Sequence, residues 1–194
     1  MFQKKAVLKI IVLVLFILGF IYCLIPSPKS IDAFPPLPNS LKSDLEGDTI
    51  QNPNIAAYFS DFDRKFITNY YKEIYSKKLF FGISLPVIRL NHPPELAYKY
   101  IRDQQESTFL EEYIFPLHES LFVNGYEPQI ENQMHHNETS YWGDRIDYYG
   151  HWYLSKATLR YYPSSIYSRV AVYLGIWATS IWLIILFKKA IKNE

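Results

Sequence analysis

Two long apolar runs bracket the chain, and the positions between them repeat first with a helical period and then with a strand period. The first run, AVLKIIVLVLFILGFIYCLI from Ala6 to Ile25, contains one charge, Lys9. About 20 apolar residues suffice to cross the hydrocarbon core of a bilayer, and the stem of Lys9 can reach back to the interface. A cleavable signal peptide has a shorter apolar region, about 7 to 15 residues, followed by a small-x-small site. Here YCLIPSPKS follows, so the run is read as a transmembrane helix. Tyr22 stands where a lipidated cysteine would need a small residue before it, which argues against Cys23 as a lipid attachment point. The second run, Val170 to Phe187, is uncharged and lies between Arg169 and the cations Lys188, Lys189 and Lys192. It reads as a second span.

Neither span has an ionisable residue near its centre, so anchoring fits better than ion or proton transport. Ala171, Gly175 and Thr179 recur every four residues in the second span, a small-xxx-small face expected to pack another helix, with the first span as the nearest partner. Tyr161, Tyr162 and Tyr167 precede this span as interface anchors. Lysines at both chain ends (Lys4, Lys5, Lys9; Lys188, Lys189, Lys192) place both termini on the cytoplasmic side and the central region outside. Lys29, Lys156, Arg160 and Arg169 then lie on the outer side, although long translocated regions follow the charge rule poorly.

The expected organisation is a tail over 1–5, a span over 6–25, a proline-rich extended linker over 26–54, an extracytoplasmic α+β domain over 55–165, a span over 166–187 and a basic tail over 188–194. PSPKSIDAFPPLPNSLKSDLEGDTIQNPN has no periodic apolar face, and its prolines fix backbone angles and remove donors. It is either a spacer or an arm lying on the domain. In SDFDRKFITNYYKEIYSKK, Ser60 with Asp63 three residues on resembles a capping box, and Phe62, Phe66, Tyr70 and Ile74 recur with Ile67 and Tyr71 alongside. An amphipathic helix with a core-facing aromatic stripe is expected. LFFGISLPVIRL, broken by Gly82 and Pro86, fits one or two short strands. Paired prolines and Glu95 start a second helix over about Pro94 to Gln105, with Leu96, Ala97, Tyr100 and Ile101 inward. TFLEEYIFPLHESLFVNGYEP reads as a strand and a turn, with Asn124-Gly125 as the turn signal. From Trp152 to Tyr161 alternation puts Tyr153, Ser155, Ala157, Leu159 and Tyr161 on the core face. The fold class is therefore α+β, two helices with a largely antiparallel sheet between two membrane spans.

Composition adds one exclusion. The 20 Lys+Arg and 19 Asp+Glu residues leave a formal charge of +1, so no bulk attraction to nucleic acid follows. Hydrophobic residues make up 49% of the chain at a mean hydropathy of -0.09, because the apolar runs at the ends are offset by a polar middle.

Candidate chemistry concentrates in NQMHHNETSYWGDRIDYYGHWY, Asn132 to Tyr153. His135 and His136 are adjacent, so regular structure points them apart, and His151 lies far along the chain. With no cysteine outside the first span, a metal site is not expected and no cofactor is implied. Asn137-Glu138-Thr139 matches a glycosylation acceptor pattern, consistent with a surface loop. No GxSxG, GxxxxGK[ST], HExxH or CxxC pattern occurs. Glu111-Glu112 and His118-Glu119 are read as solvated surface residues. Asp147 and His151 form an acid–orienter pair only if a nucleophile approaches.

The surface of interest is then aromatic and polar: Trp142, Asp144, Asp147, His151 and Trp152. Aromatic strands can present stacking faces to sugars, but half-buried sheets select the same residues. The expected function is an interaction or assembly module of the envelope, with no catalytic activity inferred. Its partners would be the lipid bilayer and other membrane or envelope proteins, a second copy among them. The alternatives are a membrane-anchored enzyme or binder acting on envelope carbohydrate, and an accessory subunit of a larger transporter or glycosyltransferase complex.

Overall fold

The computed structural model describes residues 2–49, 54–76, 79–80, 82–93, 107–127, 129–131, 140–142 and 145–192. These form two compact units, Met1–Ser27 with Ser164–Glu194, and Pro28–Pro163.

In the larger unit, alternating apolar and polar residues build a six-stranded sheet. Its strands are β1 (Leu41–Lys42), β2 (Ile55–Ser60), β5 (Ile88–His92), β6 (Phe109–Phe115), β7 (Glu119–Tyr126) and β12 (Ser155–Tyr162). The order is β1-β2-β12-β7-β6-β5, and every neighbouring pair is antiparallel. β3 (Leu79–Phe80) pairs with β4 (Ile83–Ser84), β8 (Gln129–Glu131) with β9 (Ser140–Trp142), and β10 (Ile146–Tyr148) with β11 (His151–Tyr153). The α+β class with a mostly antiparallel sheet is as the alternation predicts. The second helix expected over 94–105 lies outside the described residues.

The period-two pattern fixes which face is buried. Ala157, Leu159 and Tyr161 of β12, as read from the sequence, join Leu121 and Val123 of β7 and Phe109, Tyr113 and Phe115 of β6 in one core. Helix α3 (Arg64–Tyr75) covers this face with Ile67, Tyr71 and Tyr75. Its N-cap is Asp63, whose carboxylate accepts from the Phe66 N–H at 2.8 Å. The expected cap Ser60 instead ends β2 and shares a hydrogen bond with Ser155 Oγ at 3.0 Å, because strand pairing claims it first. The aromatic stripe is displaced as well. Ile67, Thr68, Tyr71 and Tyr75 are buried, while Phe62 and Phe66 stack beside them at 4.0 Å and Phe66 is exposed.

The proline-rich stretch is an arm packed on the domain. A 3-10 turn over Ile31–Ala33 and the extended segment after it insert Ile31, Phe34 and Leu37 into the core. Phe34 packs against Tyr75 and Tyr161 with centroids 6.1 and 5.1 Å apart. Beyond β1 the arm forms a single helical turn, α2 (Glu46–Thr49).

Asn124-Gly125 is not a turn. It lies inside β7, and the reversal falls at Pro116–His118, because strand pairing continues on both sides of Gly125.

The smaller unit is a helix pair, α1 (Phe2–Leu24) and α4 (Ile166–Lys192). Both are long and apolar enough to cross a membrane, and only 6% of each hydrophobic window is buried. Tyr173 OH donates to the Phe16 carbonyl at 2.8 Å, and the Phe16 ring meets Trp177 edge-on at 5.4 Å. Gly19 makes room for this contact, since a Cβ there would lie 2.5 Å from the Tyr173 hydroxyl oxygen. Next to the pair, buried Arg169 donates to the carbonyls of Ile25 and Ser164 at 2.7 Å each, to Ser164 Oγ at 2.8 Å, and to Ser27 Oγ. One guanidinium thus ties the chain leaving α1 to the chain entering α4. Ala171, Gly175 and Thr179 are exposed on α4, and a Cβ on Gly175 would meet open space, so the α1 contact runs through Tyr173 and Trp177 instead.

Candidate functional site

The aromatic segment after Arg145 forms a hairpin whose turn is Tyr149-Gly150, with φ of 53° and 77° at its two central residues. Two-residue turns of this kind need positive φ at both positions, so glycine suits the second. A tyrosine at the first is unfavourable by about 1 kcal/mol or more. Side-chain contacts hold it there. Asp44, on the arm, accepts from Tyr148 OH at 2.5 Å and from Tyr149 OH at 2.6 Å, and its own N–H donates to Tyr148 Oη at 2.9 Å. The Tyr148 ring stacks on Phe59 of β2 at 4.0 Å. Lys156 lies over the Phe59 ring, 5.4 Å from its centroid, and pairs with Asp48 at 2.8 Å.

The electrostatics follow from these bonds. Hydrogen bonds from Tyr148 and then Tyr149 hold the Asp44 carboxyl below its usual range. Tyr148 is pushed up first by desolvation and then by its bond to Asp44, and Tyr149 by its bond to Asp44 first. A depressed carboxyl pKa contributes stability that is complete above the unfolded value and is lost as pH falls through the folded one. Amide protection of Ile146–Tyr153 is therefore expected to fall as pH drops through the folded Asp44 value. Asp44→Ala should release the hairpin at neutral pH in the same way. Hydrogen exchange read by mass spectrometry checks both, and unchanged hairpin protection in the variant would show that Phe59 stacking alone holds it.

Register separates the expected site residues. Asp147 pairs with Trp152 and Tyr148 with His151, so Asp147 and Trp152 share one face of the hairpin and His151 the other. Trp152 is 57% exposed. Asp147 Oδ1 accepts from the Gly150 N–H at 3.1 Å, supporting the turn. His151 approaches Asp61 at 3.5 Å and meets Tyr153 edge-on at 4.4 Å. An acid–orienter couple between Asp147 and His151 is thus not formed. Trp142 pairs through its backbone with Gln129 in the β8–β9 ribbon. Asp144, His135, His136 and the Asn137 pattern lie outside the described residues. Among the described residues, no three His, Cys, Asp or Glu side chains are grouped to hold a metal.

A second polar cluster corrects the expectation that Glu111 and His118-Glu119 are solvated. Glu111 is completely buried on the core face of β6, between Phe109 and Tyr113. Arg89 clamps its carboxylate through two of its three nitrogens, Nε at 2.8 Å and Nη2 at 2.6 Å. Tyr113 OH donates at 2.7 Å and Arg64 Nη2 at 3.2 Å, while Arg64 also reaches Asn91 Oδ1 at 2.8 Å. Burial opposes the Glu111 charge, yet the bonds from Arg89, Tyr113 and Arg64 outweigh it and hold the carboxyl below its usual range. A carboxylate accepting four such bonds has its lone pairs engaged and is a framework element, not a general base. His118 and Glu119 are likewise buried, with the ring Nδ1 3.2 Å from the carboxylate.

No protein-family model, curated protein or solved structure matches the chain.

Proposed function

We propose that the chain is a two-span membrane protein whose α+β unit stands on the extracytoplasmic side and serves as an interaction or assembly module of the envelope. The observation that carries this reading is the pairing of two helices long and apolar enough to cross a membrane, with only 6% of each apolar window buried. A core helix of a soluble domain buries its apolar surface, and a cleavable signal sequence has a shorter apolar region followed by a small-residue cleavage site. Here α1 is fastened to α4 through Gly19, Phe16 and Tyr173. Lipid is the solvent that fits such a surface.

The α+β unit then works at short range from the bilayer, a position suited to contact with other membrane proteins. Its buried carboxylate network is saturated, which favours binding over chemistry. Protease treatment of intact cells should cleave the region between the spans while tags on both termini stay protected. Digestion of that region only from the cytoplasmic side would overturn the topology. Crosslinking in native membranes, followed by gentle purification, should bring down a membrane partner in fixed proportion.

A second reading, binding of envelope carbohydrate, has one observation in its favour. Trp152 and Asp147 share the hairpin face directed away from Phe59, an exposed ring beside a carboxylate. Clean recovery of the protein without a partner would shift weight to this reading.

A further inference from the structure

Both chain connections leave the α+β unit at one end of its sheet. β12 ends at Tyr162, three residues (163–165) before α4, and Tyr161 OH donates to the carbonyl of Pro28, three residues (25–27) after α1, at 2.9 Å. Antiparallel register identifies what else lies at that end. Tyr162 pairs with Ser120, Phe115 with Glu119, and Ile88 with Ile114, so the Pro116–His118 turn and the start of β5 are there. The C-terminus of α3 is there too, because Tyr75 OH donates to the Glu119 carbonyl at 2.7 Å. β4 is held beside it by Ser84 Oγ, which donates to the Ser76 carbonyl at 3.2 Å.

Among the described residues, this end carries four exposed apolar side chains beside the exposed charges of Lys29, Lys72 and Glu73. Ile83 is 72% exposed, Tyr162 51%, Ile88 47% and Leu117 36%. Leu117 occupies the turn with φ of 60°, a backbone conformation that costs a branched aliphatic residue about 1 kcal/mol or more and that glycine or asparagine would adopt easily. An aliphatic side chain at an unfavourable, exposed turn position points to a role outside the fold. The opposite end of the sheet carries charge as well as exposed rings: there the Arg64 N–H donates to the Glu127 carboxylate at 2.5 Å, next to Asp63 and Lys65, with Phe66 and Trp152 exposed nearby.

We propose that this end of the sheet rests on the bilayer interface, with Ile83, Ile88, Leu117 and the Tyr162 ring entering the boundary between headgroups and acyl chains. The inference rests on the reading of α1 and α4 as spans. Three-residue connections reach at most about 14 Å, so the sheet end that bears them cannot stand far from the membrane. Aliphatic side chains at that level gain from leaving water, and a tyrosine at the interface keeps its hydroxyl wet. Lipid is therefore the occupant that the chain path supplies without any added partner.

The test uses the full chain in vesicles of phosphatidylcholine and phosphatidylglycerol, on a Cys23→Ala background. Single nitroxide labels are placed at residues 83, 88, 117, 65 and 183, and collision with oxygen is compared with collision with a water-soluble nickel complex. The oxygen-to-nickel ratio at 83, 88 and 117 is expected to exceed that at 65 several-fold and to approach the value at 183 in the middle of α4. Ratios at 83, 88 and 117 equal to that at 65, with 183 still in lipid, would overturn the docking and leave the spans standing. An aqueous ratio at 183 as well would overturn the spanning reading and this inference with it. All three docking positions are exposed, so the labels disturb no core contact.

Discussion

Glu111→Gln is expected to destabilise the α+β unit by about 2–3 kcal/mol. The variant keeps the shape of the side chain and removes the charge on which Arg89 and Arg64 converge. Breaking an ion pair buried on both sides usually costs about 3–5 kcal/mol, because the surviving charge is left without compensation. Here the two arginines are 42% and 32% exposed and can turn toward water, which lowers the figure. Tyr113 still loses its strongest acceptor while its hydroxyl stays buried, retaining only the Thr68 carbonyl at 2.8 Å. Chemical denaturation of the full chain in detergent, followed by aromatic circular dichroism, reads the change. A midpoint equal to that of the parent would show that the carboxylate charge is not needed.

The same residue shapes the pH dependence. The folded pKa of Glu111 is depressed, so its contribution is complete above the usual carboxylate range and disappears as pH falls through the folded value. Glu127 acts in the opposite sense. Burial raises its pKa, with the charge of Asp63 adding to the rise against the bond from the Arg64 N–H. A raised carboxyl pKa favours the folded state at low pH and loses that advantage as pH rises through the folded value. Stability should therefore peak at mildly acidic pH. In Glu111→Gln the loss on the acid side of the peak should flatten, since the group that titrates there is gone.

How far these features are legible in the sequence differs from element to element. The two apolar helices and the core face of β12 follow from composition and alternation alone, because lipid-scale length and period two admit few alternatives. The burial of Glu111 is written in the same period, although a pair of adjacent acids suggests a solvated surface. In FLEEYIF the alternation places Glu111 in line with Phe109, Tyr113 and Phe115, and an acid on an apolar face must have a buried partner. Arg89, a cation inside the apolar LPVIRL segment, is the matching signal. The Asp44 anchor has no such signal, since it joins residues more than 100 positions apart whose proximity depends on how the arm wraps β2. The helix cap is ambiguous because Ser60 and Asp63 both satisfy the local rule, and only pairing with Ser155 decides between them. In α4 the spacing of Ala171, Gly175 and Thr179 singles out an exposed face, whereas α1 meets large aromatics lodged against Gly19. The small residue that admits the close approach lies on the other helix.

Gly125→Ala is expected to have the largest effect, about 3 kcal/mol or more, and to impair folding of the α+β unit. Gly125 pairs with Ala157 on one side and Phe109 on the other, near the end of the central strand β7. A Cβ there would lie 2.1 Å from the carbonyl oxygen of Lys156, 3.0 Å from Phe109 Cζ and 3.1 Å from the Cα of Ala157. Two of these three atoms belong to the backbone, so no rotamer change relieves the clash and β7 and β12 must separate. Separation also strains the start of β6, where the Gly125 carbonyl accepts from the Thr108 N–H at 2.8 Å and from Ser107 Oγ at 3.2 Å. This is why an Asn-Gly pair, the strongest short turn signal in the chain, stands inside a strand: the glycine is required for close approach, not for positive φ. The double variant Gly125→Ala/Phe109→Leu separates the two causes. If the Phe109 ring were the obstacle, shortening it would restore most of the lost stability; the backbone contact predicts that little returns. A Gly125→Ala protein with the parent's denaturation midpoint would refute the tight packing of β7 against β12.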